Sequence, residues 1–200
     1  MKKFLAILLV AVLALSLVSC GNNADGGDKG GDKTDDKNDS TQSTYVPLEV
    51  LEKVWESFTD DEKFPVAGGD MTEENMNMEG PGKFGVEDTS ALDTTLAFPT
   101  TAADKIDDAA SLVHMMNANT FTCGAFHVKD AADVDSVASA IKDSVMQRQW
   151  ICGFPDKLVV VKVGDCVVSF FGAEDLVDAF KTKLTAAYDA SEIVCDEPVA

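Results

Sequence analysis

The apolar positions of this chain change pattern several times. Phe4 to Leu15 is an unbroken apolar run behind Lys2 and Lys3. From Gly21 to Thr44 the only apolar residue is Ala24. From Tyr45 onward the spacing becomes periodic. Leu48, Leu51, Val54, Trp55 and Phe58 recur at helical intervals with Glu49, Glu52, Lys53 and Glu56 between them, and Pro47 suits a first helical turn. A helix over 47–58 follows, with Trp55 as its core anchor. From Thr59 to Asp108 the pattern is broken by Pro65, Gly68-Gly69, Gly80-Pro81-Gly82 and Pro99. Short helices and loops are expected there, with Met71, Met76 and Met78 covering a core edge.

Ala109 to Lys129 reads as two strands around a turn at Asn117-Ala118-Asn119-Thr120. Ala131 to Gln149 is amphipathic, with Val134, Val137, Ile141 and Val145 on one face and Asp130 placed to cap it. Leu158 to Phe171 is β-branched and aromatic and is split by Gly164-Asp165, which marks a second hairpin. A last helix is expected over 173–188, with Leu176, Val177, Phe180, Leu184 and Tyr188 facing inward, then a short strand at Ile193-Val194-Cys195. The order predicts an α+β fold: an antiparallel sheet of about four strands, built from two hairpins, with helices packed on one face.

The leading run has the layout of a secretory signal, with a basic start and an apolar stretch short of a membrane span. It closes on Leu17-Val18-Ser19-Cys20-Gly21, which resembles the lipobox of bacterial lipoproteins. That resemblance implies a signal peptide over 1–19 and a diacylglycerol thioether on Cys20, which becomes the first mature residue. Two acyl chains hold a protein on a membrane where one is reversible. Residues 20–44 then read as the lipidated cysteine and a disordered acidic Gly/Asp/Lys linker, with a reach of roughly 25–30 Å. Residues 45–200 are expected to form a single α+β domain.

The chain has 16 Lys and Arg against 35 Asp and Glu. Residues 45–200 alone carry 11 basic and 29 acidic side chains, a net of −18. Such a surface disfavours nucleic acid and anionic lipid as partners.

The segment from Ala109 through Lys183 resembles a family of uncharacterised Firmicutes lipoproteins, mostly clostridial, known only as a domain of unknown function. The matching residues are Phe126-His127-Val128-Lys129-Asp130, the helix from Val134 to Arg148, the run from Trp150 to Lys157, Val163-Gly164-Asp165 and Phe180-Lys181. The resemblance implies a lipobox, a polar linker and a domain of this size. It implies no activity, ligand or catalytic residue.

Several residues invite chemistry. Gly80-Pro81-Gly82-Lys83-Phe84-Gly85 has the letters of a dinucleotide loop, which needs a strand before it and a helix after it, but an acidic Met/Asn-rich loop precedes it and Pro81 sits inside the turn, so it reads as a loop. With the turn at Ala118-Asn119, His114 pairs with Cys123, and His114, Cys123 and His127 share one sheet face. Such residues can ligate zinc or copper. Their apolar neighbours and the missing fourth ligand favour polar-tipped side chains at a sheet rim. Cys123, Cys152, Cys166 and Cys195 either form a disulfide or remain as free buried thiols, and no C-x-x-C motif is present. The acidic runs Asp60-Asp61-Glu62, Asp70 to Glu79 and Asp104 to Asp108 lack EF-hand spacing and read as solvated surface. No catalytic set and no cofactor beyond the lipid is assigned.

The sequence thus points to a lipoprotein of the cell envelope, extracytoplasmic and lipid-anchored to the outer face of the cell membrane. Its folded part is expected to be a non-catalytic domain that binds a ligand or an envelope protein. The alternative is a metal- or thiol-dependent accessory protein using His114, Cys123 and His127.

Overall fold

The computed structural model describes residues 45–151 and 153–199. The signal-like run, Cys20, the linker and Cys152 lie outside them. Along the chain come α1 (Pro47–Glu56), β1 (Val66–Ala67), β2 (Gly82–Lys83), α2 (Thr89–Leu96), β3 (Ile106–His114), β4 (Phe121–Val128), α3 (Val134–Met146), β5 (Lys157–Val163), β6 (Cys166–Gly172), α4 (Glu174–Ala187) and β7 (Glu192–Pro198).

The fold is mixed α and β, with one antiparallel sheet. Both expected hairpins form, β3 with β4 and β5 with β6. The sheet has seven strands rather than about four, in the order β1-β3-β4-β6-β5-β7 with β2 also paired to β3. The strands beyond the two hairpins are the two-residue β1 and β2, too short to leave a periodic signature, and β7, which forms where a short strand is expected at Ile193-Val194-Cys195.

The helices do not share one face, which corrects the second part of the expectation. Leu92 and Leu96 of α2 and Val137, Ile141 and Val145 of α3 pack with Phe126, Leu158, Val160, Val167 and Phe171. Val50, Leu51 and Val54 of α1 and Val177, Phe180 and Leu184 of α4 pack with Phe121, Val159, Val161, Val168 and Phe170. Alternate strand residues enter opposite cores, so the sheet is the middle layer of three. The cause is written in the strands. Cys166–Gly172 is buried at every position and Leu158–Val161 is buried throughout. Such continuous apolar runs are stable only when both faces are covered. Each deeply buried Phe or Leu contributes about 1.5–3 kcal/mol of transfer free energy.

Both cores are built from residues between Val50 and Val199, and Ser40–Ala200 forms a compact unit of its own. The segment therefore contains what it needs to fold alone. At the β7 edge, Lys157 and Lys181 each bridge Asp178 of α4 and Asp196 of β7. The bulge between Val160 and Val161 and the charges along β7 blunt this edge against further strand pairing.

Candidate functional site

Between β1 and α2 the chain makes a compact loop whose backbone fits only glycine at its crossing. A Cβ on Gly68 would sit 2.2 Å from the Gly82 nitrogen, and one on Gly82 would sit 2.6 Å from the Asn75 carbonyl oxygen. Gly68 and Asn77 exchange backbone hydrogen bonds of 2.7 and 2.9 Å. The buried Ser111 Oγ of β3 accepts from Gly69 N at 2.8 Å, and Trp55 Nε1 of α1 donates to the Glu79 carbonyl at 3.1 Å. The G-x-G-x-x-G letters thus serve a chain crossing and β2. The next helix, α2, begins with the Asp88 carboxylate accepting from Ser90 N and Ala91 N, each at 3.0 Å.

Asp70 ties this loop together. Its carboxylate accepts from Thr72 N at 3.0 Å, Asn75 Nδ2 at 2.9 Å and Gly85 N at 3.0 Å, and also from the Thr72 hydroxyl. Partial burial alone would raise its pKa, but these donors outweigh that and lower it to about 2.

The loop forms one wall of a groove of about 870 Å³. Phe84 and Val113 line it, α2 forms a second wall, and Met115 to Ala118 form the third. Five methionines line it: Met71, Met76, Met78, Met115 and Met116. Met71 is 92% exposed and Met116 79%. Met76, Met78 and Met115 are also exposed, so the methionines of the loop do not cover a core edge as expected; they stand open at a cavity.

His114 belongs to this site as a structural residue. Its ring stacks on Phe64, with centroids 5.9 Å apart and planes at 14°. Its Nδ1 accepts from Met116 N at 3.2 Å and Asn117 N at 3.3 Å, which fixes the wall carrying Met115 and Met116.

The expected pairing of His114 with Cys123 is not formed; Leu112 is the partner of Cys123. The connection takes more residues than a tight turn, because Asn117 accepts from Asn119 N and a 3₁₀ turn follows over Ala118–Thr120. The two-residue shift keeps all three side chains on the same face. It does not bring them together. Cys123 and His127 are four residues apart along β4, about 13 Å at strand rise, far beyond one metal's coordination sphere. Among the described residues no group of three or more His, Cys, Asp or Glu side chains is placed to hold an ion.

His127 sits instead between two carboxylates. Its Nδ1 pairs with Asp107, and its Nε2 lies 3.3 Å from Asp165 Oδ2. Asp165 Oδ1 accepts from Tyr45 N at 2.9 Å. Burial alone would lower the pKa of His127, but the two carboxylates override it and raise it above 6.5.

Cys123, Cys166 and Cys195 are free and buried. Cys195 packs in the core opposite the one holding Cys123 and Cys166. Burial pushes the Cys166 thiol up to about 12 and that of Cys123 well above its usual range. These are inert, protonated thiols, the reverse of an activated nucleophile.

The fold and site define a three-layer antiparallel domain with a methionine-lined groove at one end of its sheet. No protein-family model, no curated protein and no solved structure matches this chain.

Proposed function

We propose that this chain is a bacterial cell-surface lipoprotein whose folded domain is a non-catalytic binding module. The groove is its ligand surface. The observation that carries this reading is the exposure of five methionines around one apolar cavity. Ligand sites are commonly apolar clefts of about 300–1,000 Å³ with few polar groups. Unbranched thioether side chains repack around varied apolar shapes at little cost.

The lipobox at Cys20 and the polar linker support a place on the outer face of the cell membrane, with diacylglycerol on Cys20 as the anchor. In this reading the partner is an envelope protein or ligand met at the end of the tether.

A neutral solvatochromic dye such as Nile red, added to the segment Ser40–Ala200, tests the groove. Saturable binding that weakens about tenfold in Met71→Ser/Met116→Ser supports the reading. Binding unchanged by that pair of substitutions contradicts it. The anchor has a separate test. Cys20→Ala should abolish palmitate labelling and membrane retention, and a variant still labelled and retained like the parent would refute the anchor.

A further inference from the structure

The groove also has a charge character. Its charged rim consists of Asp70, Glu87 and Asp88, and among the described residues that line it there is no Lys or Arg. Asp70 accepts hydrogen bonds throughout its loop and Asp88 caps α2, so both carboxylates are fixed in place. Glu87 is exposed at the same rim. The domain's cations are engaged elsewhere: Lys83 with Asp108, Lys105 with Asp133, Lys142 with Glu197 and Arg148 with Asp93.

A second loop with exposed apolar side chains is tied to the groove wall. Asn119 Nδ2 donates to the Gly153 carbonyl at 3.0 Å, which joins the turn after Met116 to the loop between α3 and β5. That loop exposes Ile151 at 93% and Phe154 at 65%. Exposed apolar side chains both at the cavity and on the loop tied to its wall offer more apolar surface than a small compact molecule would cover, and suit a chain segment.

Building on the proposed groove function, we infer that the occupant is a basic amphipathic peptide segment of a partner protein. Its apolar side chains would enter the methionine-lined cavity, and its Lys or Arg side chains would meet Glu87, with the fixed negative charges of Asp70 and Asp88 beside it. Long-range charge favours the same sign, since the domain carries a net −18 and would draw a basic segment in while repelling an acidic one. An amphipathic segment laid in an apolar groove is a recurrent mode of peptide recognition.

The test uses Ser40–Ala200 labelled with ¹³C at the methionine methyls. The probes are a synthetic amphipathic Leu/Lys peptide, its Leu/Glu counterpart, a Ser/Lys peptide of equal charge, and phosphatidylcholine vesicles. The expected result is a concerted, saturable shift of Met71, Met76, Met78, Met115 and Met116 with Leu/Lys, while Met146 stays still. Leu/Glu and Ser/Lys should each bind at least about tenfold more weakly, and Glu87→Gln should weaken Leu/Lys by about threefold. Glu52→Gln on α1 should leave binding unchanged.

If Leu/Glu moves the same methyls at the same concentration, the basic partner is overturned while the apolar groove stands. If Ser/Lys binds as well as Leu/Lys without moving the methyls, the attraction is bulk charge and the inference fails. If vesicles reproduce the Leu/Lys shifts, the surface meets lipid and the peptide assignment is overturned. If no probe moves the methyls, both the inference and the groove reading fall.

Discussion

The hairpin of β3 and β4 has two unlike ends. At one, His127 is held by Asp107 and Asp165, and Asp165 in turn accepts from the backbone at Tyr45. There one imidazole bridges two carboxylates, and the cluster fastens the start of the domain to the β5–β6 turn. At the other, Met115 and Met116 stand exposed beside a cavity walled by two more structural elements. There the hydrogen-bonding groups are spent on shaping the walls, and the apolar side chains face outward without cover. Satisfied polar clusters leave little capacity for a ligand, whereas uncovered apolar surface on a rigid frame supplies it.

The strongest way to break this contrast is Gly82→Val. Its side chain would collide with backbone at Asn75 and Gly68, where no rotamer change relieves the clash. We expect the loop to be displaced, a loss of about 3 kcal/mol in urea unfolding and no remaining dye binding. His127→Ala acts on the other end. It leaves Asp165 short of a partner and should cost about 1–2 kcal/mol near pH 6. The folded pKa of His127 is raised, so its stabilisation is full below about 6.5 and fades as pH climbs through the folded value. The gap between wild type and His127→Ala should therefore narrow from pH 6 to pH 9, with dye binding unchanged.

Asp70→Asn probes whether a polar hub shapes the groove. The Asp70 pKa is lowered to about 2. Its contribution is present above about 3.8 and is lost as pH falls through the lowered value. The variant should abolish that acid limb, cost less than about 1 kcal/mol at neutral pH and broaden the methyl signals of Met71 and Met76. The smallest stability effect belongs to Met71→Ser, within about 0.5 kcal/mol of wild type because the side chain is exposed. Its effect on ligand binding should exceed its effect on unfolding.

Much of the frame was legible in the sequence. The helical spacing after Pro47, the turn at Gly164-Asp165 and the amphipathic runs beginning near Ala131 and Ala173 all appear as read, within a few residues at their ends. The layering was not read, although its signal was present. Val-Val-Val in β5 and Cys-Val-Val-Ser-Phe-Phe in β6 show no alternation, and absence of alternation in a strand means two covered faces. The pairings of β1 and β2 with β3 depend on long-range crossings at Gly68 and Gly82, which local pattern does not encode.

The site was legible only in fragments. His114, Cys123 and His127 drew attention by residue type, yet the register places them at separate stations along the hairpin, with one shaping the groove wall, one buried and one in a charge cluster. The density of methionine at 71–78 and 115–116 was the more useful signal. It gained meaning only once the β1–β3 pairing brought those two segments to the same cavity.

The most direct test of the contrast places a photo-crosslinking residue on living cells at Met116, beside the groove, or at Ala131, near the charged end. The account expects partner adducts from position 116, lost when Met71→Ser is added, and none from position 131. Equal adducts from both positions, or adducts from 131 alone, would contradict it.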